Sequence, residues 1–466
     1  MPGYFVENFG CRATQADGAA LERQFEECGL SRASTSAHAA VVVLNTCTVT
    51  AAADQDARAA IRRVQRQNPT AQIVVTGCYA QRAPEEIAAL AGVSQVIGNS
   101  HKHQLARIAL QHAGVGPAGR GFVPLASLAG NDESGSEHSI FVSDIFAHTD
   151  LLAAPVFDAA NERTRPNLKV QDGCDNRCSF CVIPFVRGQS RSLELDRIIG
   201  EVNGLVAAGY REVVISGINL GRWGRDLREQ AMPTAHGRNF RFEDLVRAIL
   251  NGTGIEKLRI SSVEPMDWSD ELISLVASSA RIAKHAHVPM QSGSDAVLRR
   301  MHRKYRPWHY REKISKIRAA MPTAAIGADV MVGFPGESDS EFNATVRMVD
   351  ELPFTYLHVF TYSSRPGTPA ALMPNQVSID IARRRNQILR ELAADRKAAF
   401  MRSFVGKEID AITLRQPSSP RQEFTECLTD NYLKLQLQES HQPNRWVRAR
   451  VDCVRDGSLA GVAIRH

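Results

Sequence analysis

Asp172-Gly173-Cys174-Asp175-Asn176-Arg177-Cys178-Ser179-Phe180-Cys181 stands directly after Leu168–Gln171, a short run that reads as a strand. The loop so placed carries three cysteines in a C-x3-C-x2-C array, and thiolates at that spacing can converge on one soft metal centre. A cubane iron–sulfur cluster ordinarily takes four protein thiolates. Three leave one iron open, and a small molecule can bind there. Structural zinc is the competing reading, but it wants four ligands, commonly in two pairs. The nearest histidines in sequence, such as His148, lie in an unpatterned stretch and supply no matching pair.

Downstream, short apolar strands alternate with helical patterns. Strands are expected at Leu168–Gln171, Glu212–Ser216, Lys257–Ser261, Lys284–Val288, Ile326–Met331 and Tyr356–Phe360, with helices between them, for example over 194–207 and 338–350. Six such units suit a curved, partly open barrel, whereas a complete eight-stranded barrel needs more chain. A long Arg-rich helix over 380–402 closes the region. Upstream, strands at 3–9, Ala39–Leu44, Gln72–Thr76 and Ser94–Ile97 alternate with helices over 14–28, 52–67 and 84–90. That alternation predicts a second α/β domain whose parallel sheet is covered on both faces. The stretch from 114 to 165 is rich in Gly, Ser, Ala and Asp and reads as a connector. Beyond 404, short alternating strands such as Tyr432–Leu437 predict a small all-β module. The expected division is therefore 1–114, a linker over 115–163, a barrel over 164–402 and a β module over 403–466.

At 466 residues the chain exceeds what one hydrophobic core organises. No apolar run approaches the ~20 residues that span a bilayer. The opening Met1-Pro2-Gly3-Tyr4-Phe5 enters a strand without a charged and then apolar leader. Both features predict a cytoplasmic protein with no membrane partner. Nine cysteines, an odd number, argue against a disulfide framework and for metal or redox chemistry. The net charge of +6 permits an RNA partner without demanding one.

Three further cysteines occupy equivalent positions: Asn8-Phe9-Gly10-Cys11, Leu44-Asn45-Thr46-Cys47 and Val75-Thr76-Gly77-Cys78 each end an expected strand. In a parallel sheet those ends share the edge where ligands bind. Three thiolates can meet there and hold a second cluster, again with an open iron. The alternative is that cysteine is a small residue often buried in strands. Cys28, Cys427 and Cys453 match no such pattern and read as packing or incidental thiols.

The stretch from Lys169 through Cys174 and on to Val182-Ile183-Pro184-Phe185-Val186-Arg187-Gly188 resembles the signature of the radical S-adenosylmethionine superfamily, and more closely of its methylthiotransferases. Ser216–Gly221, His287–Asp295 and Asp329–Glu337 are similar to further family segments. The resemblance implies an α/β protein in three parts: a flavodoxin-like N-terminal domain, a partial (β/α)6 radical-SAM barrel and a TRAM-like RNA-binding β domain. It implies two [4Fe-4S] clusters, on Cys174, Cys178 and Cys181 and on Cys11, Cys47 and Cys78, and S-adenosylmethionine as cofactor. Phe180 then fits beside the nucleoside, Ser216 and Gly217 at the methionine amino group, and Ser262 and Glu264 at ribose hydroxyls or amine. Gln291 fits a polar contact, and the turn from Gly333 to Gly336 lets backbone approach the adenine. Thr14 stands three residues after Cys11, where the family usually has Asn. No side chain stands out as a general acid or base.

Asn45–Thr50, Gln171–Asn176 and Ser364–Ala370 look most like the subgroup that acts on tRNA. That subgroup converts N6-threonylcarbamoyladenosine at position 37, next to the anticodon, to its 2-methylthio derivative. The resemblance thus implies a sulfur-group transferase, the tRNA anticodon stem-loop as partner and an electron donor such as flavodoxin or ferredoxin. The sulfur source is identified by no motif. Adenine carbon 2 carries an unactivated C–H, on which acid–base chemistry has little purchase. Two rivals stay open: the same chemistry on isopentenyladenosine-37 tRNA or a ribosomal-protein aspartate, and a non-enzymatic iron–sulfur redox or RNA-binding protein. Open coordination at both triplets argues against the second. The basic runs 299–318 and 383–397 are either phosphate contacts or solvated helix faces.

Overall fold

The computed structural model describes residues 3–112, 139–148, 151, 164–227, 240–415 and 424–464. They form two compact units, Met1–Ala154 with Val182–Gln189, and Pro155–Cys181 with Ser190–His466.

The first unit is built on a six-stranded sheet in the order Ser31–Arg32, Gly3–Asn8, Val41–Thr46, Gln72–Gly77, Val93–Gly98 and Ser139–Phe141. Every pairing is parallel. Val41-Val42-Val43-Leu44 is buried at each position because helices cover both faces. Val41 and Val43 pack with Leu21, Phe25 and Leu105, while Val42 and Leu44 pack with Ile61, Val64 and Ile87. Strand order reverses between Gly3–Asn8 and Val41–Thr46, so a crevice opens beyond their C-terminal ends. Ser139–Phe141 lies in the stretch expected as a connector, yet it pairs with Val93–Gly98 as the edge strand. Three residues are too few for a period to show.

In the second unit all six expected strands form. Asn167–Asp172, Glu212–Gly217 and Lys257–Ile260 are parallel neighbours, as are His285–His287, Ala325–Val332 and Tyr356–Thr361. Bridges Leu258–Ile282 and Ser262–His287 join the two sets into one curved parallel wall. The helix Ile379–Arg402 follows. Glu408–Thr413, Phe424–Thr429, Lys434–Gln438, Trp446–Arg455 and Ser458–Ala463 then close into a small barrel. Its core of Leu435, Leu437, Val451 and Leu459 takes in Met401 and Phe404 from the helix end.

The small barrel is tied to the larger one through the turn after Phe424–Thr429. Arg259 is 1% exposed, donates to Glu212 at 2.7 Å, and reaches the carbonyls of Thr429 and Asp430. Tyr432 lies 5.3 Å from that guanidinium and 4.8 Å from the His285 ring. Breaking a buried pair from one side strands a charge and typically costs about 3–5 kcal/mol. Arg165 stands 3.6 Å from Glu212 and offsets part of that. Arg259→Met should therefore destabilise this unit by about 3 kcal/mol, seen as a lower unfolding temperature in a thermal melt; an unchanged melt would remove the pair from the account. Among the described residues no helix is long and apolar enough to cross a membrane.

Candidate metal centres

The loop with Cys174, Cys178 and Cys181 leaves the C-terminal end of Asn167–Asp172, the side on which barrel sites are built. Gln171 positions its start. Its fully buried amide nitrogen lies 2.9 Å from the carbonyls of Asp172 and Gly173, and its oxygen accepts from Asn219 N at 2.7 Å. One side chain thus sets both the cysteine loop and the loop beyond the neighbouring strand. A Cβ at Gly217 would come within 2.8 Å of that oxygen, which explains the glycine. Ser179 fixes the far end, donating to the carbonyls of Arg300 and Met301 and accepting from Ala370 N. Phe180 packs edge-on to Phe334 at 6.4 Å.

All three cysteines are free and partly exposed. Cys174 Sγ accepts from Asn176 N and has Asn219 Nδ2 at 3.7 Å. Burial pushes its thiol up, so a bound cation is what favours the thiolate here. Cys178 Sγ accepts from Arg303 at 3.3 Å, and the same guanidinium grips Glu264. Sequence reading missed Arg303: it sits in a run of nine cations, and only its burial sets it apart.

The other expected residues gather at the same strand ends. Ser216 and Gly217 end Glu212–Gly217, and Ser262 and Glu264 follow Lys257–Ile260. Gln291 holds φ +62, rare for a non-glycine residue, pinned by backbone bonds to Asp329 and Met331. Gly333 and Gly336 both have positive φ. A Cβ on Gly333 would meet that of Ala382 at 2.6 Å, so close helix packing is one reason for this glycine. Ser216 Oγ and Asn219 Oδ1 are buried with no hydrogen-bond partner among the described residues. Unpaired polar atoms beside three thiols suit a polar ligand at a cluster. When bound, a [4Fe-4S] cluster with an open iron supplies the electron that cleaves S-adenosylmethionine at a carbon–sulfur bond. Among the described residues no three His, Cys, Asp or Glu draw tight enough for one ion; a cubane spreads its thiolates over several irons.

In the first unit Cys11 caps Arg12–Glu27, Cys47 follows Val41–Thr46, and Cys78 opens Cys78–Arg82 directly after Gln72–Gly77. Cys11 and Cys47 flank the crevice where strand order reverses. Gly10, at φ +98, lies against Cys47: a Cβ there would stand 2.8 Å from its sulfur. Gly77, at φ +99, would place a Cβ 2.3 Å from Thr46 O, so glycine alone delivers Cys78. Burial, then the charges of Cys78 and Cys11, push the Cys47 thiol up to about 12; the three share one neighbourhood. Thr14 Oγ1 lies 3.5 Å from Cys11 Sγ. Cys28 and Cys453 are exposed and Cys427 is buried in the β module.

The basic runs are largely neutralised. Arg299 and Arg306 pair with Asp295, Arg300 with Glu341, Arg311 with Glu351, and Lys313 and Lys316 with Asp270. Arg385 is buried on Glu337, and Arg396 meets Asp350. Most of these cations therefore have a carboxylate partner within the protein.

Three thiols at the C-terminal mouth of a six-stranded parallel partial barrel define a radical S-adenosylmethionine protein. The radical SAM superfamily matches residues 168–349, and the uncharacterized protein family UPF0004 matches residues 3–98. The threonylcarbamoyladenosine tRNA methylthiotransferase of Aquifex aeolicus is 33% identical over 96% of this chain and 99% of its own. The tRNA-2-methylthio-N(6)-dimethylallyladenosine synthase of Desulforamulus reducens is 31% identical over 84% and 79%. The chain belongs to the tRNA methylthiotransferases of the radical SAM superfamily, enzymes that work with [4Fe-4S] clusters and S-adenosylmethionine on tRNA. Its fold is also similar to the cobalamin- and [4Fe-4S]-bound radical S-adenosylmethionine methyltransferase TsrM of Kitasatospora setae. That match has a TM-score of 0.52 at 15% identity over 80% of this chain and 74% of the other.

Proposed function

We propose that this protein converts N6-threonylcarbamoyladenosine at position 37 of tRNA to its 2-methylthio derivative. The observation that carries the choice of substrate is the end-to-end match to the Aquifex enzyme, over 96% of this chain and 99% of its own, against 90% and 88% for the dimethylallyladenosine synthase of Erythrobacter litoralis. Cys174, Cys178 and Cys181 would hold the cluster that supplies the electron to bound S-adenosylmethionine. Ser216 and Gly217 receive its amino group, Ser262 and Glu264 its ribose or amine, and Gln291 a polar edge. Phe180, Gly333 and Gly336 border the nucleoside. Cys11, Cys47 and Cys78 would hold an auxiliary cluster, which would supply the chemistry of sulfur insertion. Residues 1–114 then carry sulfur insertion, 164–402 the radical chemistry and 403–466 RNA contact, with 115–163 linking the first two.

Arg390, Lys397 and Lys434 support the RNA contact. They line a cavity of about 490 Å³ beside Tyr432, and none has a carboxylate within ion-pair distance among the described residues. Phosphates of the anticodon stem-loop are natural partners for such cations. The electron arrives from a small donor such as flavodoxin or ferredoxin, and the enzyme works in the cytoplasm.

The test is incubation of reconstituted enzyme with S-adenosylmethionine, reductant and tRNA bearing either threonylcarbamoyl- or isopentenyladenosine at position 37, read by nucleoside mass spectrometry. A 2-methylthio product on the threonylcarbamoyl substrate is expected. Product on the isopentenyl substrate alone overturns the reading.

A further inference from the structure

Asp17, Lys102 and Arg187 are 1%, 4% and 2% exposed, and both cations meet Asp17 Oδ2, at 3.1 and 3.0 Å. Buried ionic groups are a poor way to stabilise a fold, since apolar replacements often do as well or better. Three of them in one place call for another reason. Their surroundings supply one, because the group is wired to all three N-terminal cysteines. Lys102 also donates to Asn45 Oδ1 at 3.1 Å, two residues ahead of Cys47. Asn45 donates to the carbonyl of Thr14, whose hydroxyl meets Cys11 Sγ. Beside Arg187, Val186 packs with Cys78, and Asn99 bonds the Val186 carbonyl while reaching Cys78 Sγ.

We infer that Lys102 and Arg187 are positioning residues that raise the reduction potential of the auxiliary cluster, with Asp17 moderating them. The inference rests on Cys11, Cys47 and Cys78 holding that cluster. Reduction adds one negative charge to a cluster already bound by thiolates. Buried as they are, nearby cations favour that electron and an anion opposes it.

The test uses the full chain with Cys174, Cys178 and Cys181 replaced by alanine, so that the N-terminal cluster alone is loaded, and measures its midpoint potential by EPR-monitored redox titration. Lys102→Met should lower the reduced-to-oxidised ratio at fixed potential by on the order of tenfold, ~59 mV for one electron. Asp17→Asn should shift it the other way, and Lys102→Arg should restore the parent value. Opposite signs are the signature, because a loosened site would move both variants alike. Shifts of one sign, or none, overturn the inference. A parent that binds no iron instead removes the auxiliary cluster itself, and the inference with it.

Discussion

Replacing Cys174, Cys178 and Cys181 by alanine abolishes 5′-deoxyadenosine formation and tRNA methylthiolation together. The expected fall is to background, a loss on the order of 10⁶-fold or more, the least acceleration enzymes ordinarily provide. The magnitude follows from the chemistry. No acid or base at the barrel mouth can activate an aromatic C–H, so nothing remains once the electron source is gone. Each single replacement should do nearly the same, because the loop supplies three thiols and no fourth. High-performance chromatography of the nucleoside products checks it. Residual 5′-deoxyadenosine at a tenth of wild type would mean that these thiols are not the cluster's ligands.

The second large effect is a separation of activities. With Cys11, Cys47 and Cys78 replaced by alanine, the enzyme should still cleave S-adenosylmethionine within several-fold of the wild-type rate and make no 2-methylthio product. The two triplets belong to different units of the fold. Gln171, Ser179, Asn219 and Arg303, which set the barrel loop, all lie in the second of them. Loss of both activities would show instead that the N-terminal thiols are needed for the barrel site itself.

Much of this was legible in the residues. The barrel strands announced themselves because buried parallel strands are continuous apolar runs; Val213-Val214-Ile215 and Ala325-Ile326 are examples. The N-terminal triplet was legible for a positional reason: three cysteines each ended a strand, and parallel strands end on one edge. Ser139–Phe141 was hidden because three residues carry no period, and Ser31–Arg32 because two exposed residues carry no apolar signal. The basic run at 299–318 left two readings open, since several of its counter-charges, Asp270, Glu341 and Glu351, come from distant segments that charge counting along the chain cannot pair. Arg303, Lys102 and Asp17 share that difficulty. Nothing in their spacing distinguishes them from surface charges, and only the fold reveals that they are buried.

Thr14 shows how a departure from a family pattern can be absorbed. Its hydroxyl lies within reach of Cys11 Sγ while its carbonyl takes the amide of Asn45. The short side chain therefore keeps a polar contact to the thiol.

Iron and sulfide content of anaerobically reconstituted protein tests the central claim most directly, measured for the wild type and for the Cys174/Cys178/Cys181→Ala variant. Two cubane clusters give about eight irons in the wild type and about four in the variant, with the visible cluster absorbance retained. About four irons in the wild type and none in the variant would contradict the account, leaving Cys11, Cys47 and Cys78 as packing residues.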